Sequence, residues 1–322
     1  MTFSRIAGTG SYLPGNIVTN DQLADIVDTS DEWISTRTGI KERRVATVET
    51  TVEIASKAAN NALLNSNIKA GEIDLIIVAT ITPDNFMPST ACSVQAKIGA
   101  ANAFAFDISA ACTGFIYALG IANAFLKSGL YKNALVVGAE TLSKIVDWND
   151  RNTCVLFGDG AGAAVLTASD KPGIREIELK SDGSREDLLN CPALPSKNAF
   201  SSGESLQSVI KMNGKEVFKF AGKIIVQSIE KLLKNTNTDL GLIDCIICHQ
   251  ANIRIIQYAA EKLSLPIEKF FINIDRFGNT SAASIPIALD EAVKTGAIKR
   301  GDKIIAFGFG GGLTWGAALI DW

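Results

Sequence analysis

Ile73-Asp74-Leu75-Ile76-Ile77-Val78 and, 170 positions further on, Ile243-Asp244-Cys245-Ile246-Ile247-Cys248 are two versions of one pattern. Each is a short apolar run of the kind that forms a buried sheet strand. Two further echoes follow in the same order. Ala134-Leu135-Val136-Val137-Gly138 is answered by Lys303-Ile304-Ile305-Ala306-Phe307, and Phe157-Gly158-Asp159-Gly160-Ala161 by Phe309-Gly310-Gly311-Gly312-Leu313. One echo carries little, because apolar strands resemble one another. Three in order, at offsets between about 150 and 170, predict a duplicated core. Helical patterns lie between these runs, so the fold class is α/β. Residues 1–170 and 171–322 form two similar halves packed face to face. The stretch 171–211, rich in Ser, Gly, Pro and charge, is expected to connect them and to cover the site.

The chain of 322 residues carries 31 basic and 34 acidic side chains, a net charge of −3. Nothing global attracts nucleic acid or an anionic membrane, so an anionic ligand must be met by a local basic cluster. No window reaches the roughly 18 apolar residues of a membrane span, and Met1-Thr2-Phe3-Ser4-Arg5-Ile6 does not read as a leader, which predicts a cytoplasmic protein. Six cysteines are too sparse for a disulfide scaffold. The single histidine, His249, excludes a His-rich metal site and any mechanism that needs two imidazoles.

Residues 101–108 read as a buried strand and Thr113 to Phe125 as a helix, which places Cys112 at a helix N-terminus. Backbone N–H groups and the helix dipole there favour a thiolate, so Cys112 is the candidate nucleophile, against the plainer reading of a small buried side chain. Cys92 competes, because Ser89-Thr90-Ala91-Cys92 also reads as a helix start. Cys154, Cys245 and Cys248 lie in apolar strand-like runs and read as core. Cys245-Ile246-Ile247-Cys248-His249 spells a haem-attachment pattern, yet a strand points its two sulfurs to opposite faces. His249 ends that strand, where α/β sheets place their sites. Asn279, in Phe277-Gly278-Asn279-Thr280-Ser281-Ala282-Ala283-Ser284, stands roughly where Cys112 stands in the first half, or simply caps a helix. Gly310-Gly311-Gly312 offers bare backbone N–H groups to an oxyanion. The basic cluster lies in Asp31 to Arg44, where Trp33 stands among Arg37, Lys41, Arg43 and Arg44. Cations beside an indole suit a phosphate-bearing adenine nucleotide, and a solvated charged loop is the alternative.

Ser109-Ala110-Ala111-Cys112-Thr113-Gly114-Phe115-Ile116-Tyr117, Cys248-His249-Gln250-Ala251-Asn252, Gly278 to Ser284 and the terminal Gly-Gly-Gly-Leu-Thr-Trp-Gly resemble, together and in order, the motifs of the β-ketoacyl-acyl carrier protein synthase III family. The resemblance spans nearly the whole chain. It implies a thiolase-like fold, a duplicated βαβαβ core in a five-layered αβαβα sandwich. It implies a Cys112, His249 and Asn279 triad, an oxyanion hole of the Cys112 and Gly311 N–H groups, and a homodimer. The implied reaction condenses an acyl-CoA with malonyl-acyl carrier protein, with neutral His249 and the Asn279 amide serving the enolate and no metal or cofactor. By resemblance, CoA is held by Thr29, Trp33, Arg37, Arg151, Phe218 and Asn252, and Met87 of the partner subunit ends the acyl pocket. Asn152 stands where many members have Gly, and Met87 where Phe is the family's alternative. The elongating relatives resemble one another in a Cys-His-His triad, which a single histidine cannot build. Asn213 to Lys234 reads as an amphipathic helix with Val217, Ala221, Ile224 and Ile225 inward and Lys215, Lys219 and Lys223 on another face. The family docks its acidic carrier protein on residues matching Lys219 and Arg254. Two other readings stay open: a thiolase-fold ketosynthase of specialised metabolism with another acceptor, and a silent acyl-CoA binding or scaffold protein.

Overall fold

The computed structural model describes residues 3–193, 197–202 and 208–322. Leu75–Ala79 is fully buried and is the fourth strand of a five-stranded sheet. The sheet runs Phe3–Tyr12, Gly160–Ser169, Asn133–Glu140, Leu75–Ala79, Phe104–Ile108. The last three are parallel, and Gly160–Ser169 is antiparallel to both of its neighbours. The second sheet repeats the order with Ile174–Ser181, Thr314–Asp321, Lys303–Gly310 and Cys245–Cys248, in the same relative directions. Where the first sheet has its fifth strand, the second keeps a single parallel bridge from Ile246 to Phe270.

Side chains alternate across each strand and so divide the core into layers. Leu75 and Ile77 face inward with Cys245, Ile247 and Ile304 of the other sheet. Between them lie two central helices, Gly114–Lys127 and Ser284–Lys294, which contribute Phe115, Leu119, Ile285 and Leu289. Ile76 and Val78 face outward onto the helix Thr51–Ser66. Ile246 and Ile305 face outward onto Gly214–Thr236 and Ile253–Lys262. These are the five layers of a thiolase-like sandwich. No helix among the described residues is long and apolar enough to cross a membrane.

Three sequence expectations change here. Residues 101–103 do not join the strand, which begins at Phe104 and is only half-buried, because it is the sheet's open edge. Ile174–Ser181, inside the stretch read as a connection, is a strand of the second sheet. The connection proper follows it, and its residues 194–196 and 203–207 lie outside the described residues. Cys154 is core as expected, but in a turn rather than a strand. Cys245 and Cys248 do point to opposite faces, one into the central cluster and one into the outer cluster.

Candidate active site

The two halves bring equivalent turns together. Ala111–Thr113 precedes one central helix and Ser281–Ala283 the other. Each turn opens on a non-glycine residue in the left-handed region, Ala111 at φ +46° and Ser281 at φ +47°. The register therefore pairs Cys112 with Ala282, and Asn279 with Ser109 rather than with Cys112. Gly310 lets the second sheet reach Cys112. A Cβ there would sit 2.8 Å from the Cys112 nitrogen and 3.0 Å from its Cβ, an approach that only glycine permits. Thr314 Oγ1 lies within hydrogen-bond reach of Ala110 O, Gly311 O and Thr113 Oγ1, fastening the Cys112 turn to the glycine loop.

Cys112 is 7% exposed and borders a cavity of about 790 Å³. Gly311 and Ser281 border it too, along with Ile81, Leu142, Phe157 and Leu189. The expected thiolate is not what the environment favours. Burial pushes the Cys112 thiol up to about 12, while the Ser281 hydroxyl pulls it down. Cys92 lies outside the cavity, exposed on the helix Thr90–Ile98, its N–H capped by Ser89.

His249 is 2% exposed. Its N–H donates to Phe307 O at 2.8 Å, and its ring meets Phe309 edge-on. Nδ1 lies 2.6 Å from Ser284 Oγ, which also accepts the Gln250 N–H at 3.4 Å. The Ser284 hydroxyl can donate its hydrogen to Nδ1, the arrangement in which the ring proton stands on Nε2. Burial lowers the imidazole pKa to about 3, so the ring is neutral. Asn279 Oδ1 accepts the Ser281 N–H at 2.8 Å, so the residue does cap the turn, and the cap directs its amide N–H₂ the other way. Asn279 also bridges Phe157, with its N–H donating to Leu156 O at 2.8 Å and its carbonyl accepting from Gly158 N at 3.0 Å. The Cys112 thiol, the neutral His249 ring and the Asn279 amide thus come from three separate segments.

A second cleft, about 680 Å³, is bordered by Trp33, Thr38, Asn152, Leu156, Met212 and Lys215. The Arg37 and Arg151 guanidiniums lie 4.8 and 5.1 Å from the Trp33 ring centre. Asn252 Nδ2 donates to Arg37 O at 3.0 Å, and Arg254 Nη2 to Thr36 O at 2.9 Å, which ties the second half to this helix. Thr29 Oγ1 is buried without a hydrogen-bond partner. The basic run is smaller than its sequence implies. Arg43 is fully buried, donates to Val18 O and Val155 O, and has its pKa lowered to about 10 by desolvation. Arg44 is half-buried beside Glu42. Phe218 is half-buried against the outer core of the second half. Met87 is 85% exposed beside Phe86, which borders the Cys112 cavity. Lys215, Lys219 and Lys223 are exposed as a stripe while Val217, Ala221 and Ile225 are buried, and Lys219 pairs with Glu216 at 2.7 Å. The sequence reading missed Ser284, Thr113 and Thr314 as supports, although all three lie in or beside the quoted motifs.

Residues 106–183 match the family model of 3-oxoacyl-[acyl-carrier-protein (ACP)] synthase III, and residues 233–322 match that of its C-terminal part. The chain is 57% identical over 323 aligned residues to the beta-ketoacyl-[acyl-carrier-protein] synthase III of Clostridium acetobutylicum, covering 100% of this chain and 99% of that one. The chain belongs to the 3-oxoacyl-[acyl-carrier-protein] synthase III family. Solved members of the family share its fold. The synthase III of Aquifex aeolicus VF5 superposes with a TM-score of 0.93 at 52% identity, over 99% of this chain and 100% of that one. That of Thermus thermophilus gives 0.93 at 45% identity, over 99% of each.

Proposed function

We propose that the chain condenses an acyl-CoA primer, acetyl-CoA first among them, with malonyl-acyl carrier protein, giving 3-oxoacyl-acyl carrier protein, CoA and CO₂ and so initiating fatty acid synthesis. The observation that carries this reading is the Cys112 thiol, packed against the Gly310 backbone at the wall of a cavity that Gly311 also borders, in a family named for that product.

Cys112 Sγ attacks the thioester carbonyl, and the backbone N–H groups of Cys112 and Gly311 receive the oxyanion. CoA leaves and an acyl-cysteine remains. The adenine nucleotide is held at Trp33 by Arg37 and Arg151, with Thr29, Phe218 and Asn252 completing the contact. Malonyl-acyl carrier protein then loses CO₂, and the bonding electrons pass to the thioester oxygen. His249 Nε2–H and Asn279 Nδ2–H stabilise that enolate. Its carbon attacks the acyl-cysteine carbonyl, and Cys112 is released. The donors are side-chain and backbone N–H groups, so the scheme draws on no metal or cofactor.

The active assembly is a homodimer in this reading. The half-buried edge strand Phe104–Ile108, with Phe86 78% exposed and Met87 beside it, supports a second copy paired along that edge. Met87 then reaches the partner's acyl pocket. Six unpaired cysteines fit a reducing cytoplasm.

The acceptor decides the reading. The acetylated chain is expected to release CO₂ from malonyl-acyl carrier protein and to yield its 3-oxobutyryl form by intact mass. Turnover on malonyl-CoA or a small acceptor alone would favour a specialised ketosynthase, and an adduct without condensation a binding protein.

Charge reversal tests the docking surface. Lys219→Glu, alone and with Arg254→Glu, is expected to lower kcat/KM for malonyl-acyl carrier protein by ~10-fold, increasingly at low salt, while acetylation by acetyl-CoA stays near normal. Lys219 is the cleaner probe, because Arg254 also holds the Thr36 carbonyl. A loss that ignores salt, or that falls on both half-reactions alike, would place docking elsewhere.

A further inference from the structure

Glu140 takes no part in the chemistry above, yet its charge is felt at Cys112. It ends the strand Asn133–Glu140 and is fully buried. Hydroxyls and an amide hold its carboxylate. Thr82 Oγ1 donates at 2.6 Å, Thr80 Oγ1 at 3.2 Å and the Ile81 N–H at 3.2 Å, and all three residues border the Cys112 cavity. The turn carrying Ser281 lies close against the same strand, since a Cβ on Gly138 would sit 2.2 Å from Ala282 O.

Ser281 stands between the two groups. It is buried, borders the cavity, and its hydroxyl holds down both the Cys112 thiol and the Glu140 carboxyl. Its Oγ is nevertheless buried without a hydrogen-bond partner in this structure. Catalytic contacts are often long before substrate arrives. The turn itself does not require a hydroxyl, because Ala111 adopts the same left-handed conformation at the equivalent place in the first half.

Acylation calls for a proton acceptor. Burial holds the Cys112 pKa far above neutrality, so the side chain is a thiol at neutral pH. His249 is poorly suited to the task, since burial suppresses its basicity.

We propose that Glu140, acting through the Ser281 hydroxyl, takes the Cys112 thiol proton during acyl transfer and returns it to the departing CoA sulfur. The proposal rests on the condensing function given above. As the bond from Cys112 Sγ to the acyl carbon forms, the S–H proton passes to Ser281 Oγ and the serine proton to Glu140. As the acyl carbon–sulfur bond to CoA breaks, the same path runs in reverse and CoA leaves as the thiol. No atom changes oxidation state. Burial raises the Glu140 pKa to about 7, which suits a group that must accept and return a proton at neutral pH.

The test is the rate of acetylation of the full chain by acetyl-CoA, followed by quenched intact mass against pH, in Glu140→Gln and Ser281→Ala. The wild-type rate is expected to rise through a pKa near 7 as the carboxylate forms. Both variants are expected to lose that limb and to acetylate ~10²-fold more slowly. Once acetylated to completion, they should release CO₂ from malonyl-acyl carrier protein in a single turnover at the wild-type rate. Should Glu140→Gln fail to fold, Ser281→Ala decides, because the turn accepts alanine. A wild-type acetylation rate and pH profile in Ser281→Ala would overturn the relay, as would equal loss of acetylation and CO₂ release. A wild-type chain that takes up no acetyl group would instead overturn the condensing function, and the relay with it.

Discussion

Incubation with acetyl-CoA is expected to add one acetyl group to the chain, and Cys112→Ala to abolish the adduct completely. Of the six unpaired cysteines, two border the 790 Å³ cavity, Cys112 and Cys191. Only Cys112 sits in the turn between the glycine loop and a helix N-terminus, where backbone N–H groups are at hand for the oxyanion. A nucleophile has no partial substitute, so the effect is all or none rather than graded. Intact mass reads it directly. Retention of the adduct in Cys112→Ala, with loss in Cys92→Ala or Cys191→Ala, would refute the assignment.

His249→Ala and Asn279→Ala are expected to keep much of the acetylation and to lower malonyl decarboxylation by ~10²–10³-fold each. In the proposed scheme their N–H groups meet charge that develops only when CO₂ leaves, so their worth is confined to that half-reaction. With the His249 pKa lowered to about 3, the ring stays neutral throughout the physiological range. Decarboxylation should accordingly show no acid limb belonging to His249; that limb would appear only as pH fell towards 3, where the ring gains a proton. Measured side by side, acetylation and CO₂ release separate the roles. Equal loss of both in His249→Ala, with a selective loss in Asn279→Ala, would make His249 the base for Cys112 and remove the need for Glu140.

Repetition made the fold legible. Leu75–Ala79 and Cys245–Cys248 read as strands because each is a short apolar run rich in β-branched residues, and their common offset pointed to a common architecture. The limits of the pattern were equally physical. Ile174–Ser181 is half-buried and charged on alternate residues, as an edge strand is, so its composition resembles a loop. Phe104–Ile108 has an open edge that the sequence does not announce.

The sequence by itself determined which side chains are available: one histidine at a strand end, a cysteine at a helix start, an asparagine in a matching turn, and a loop of bare glycine backbone. Only the tertiary structure decided their chemical states. Burial raised the Cys112 thiol instead of lowering it, lowered His249, and turned Arg43 from a surface cation into an interior support. Ser284 sits 35 positions from the imidazole it bonds, and Ser281 and Glu140 lie 141 positions apart on either side of the interface between halves. Desolvation and hydrogen-bond direction depend on neighbours brought together by packing, and no local pattern encodes them.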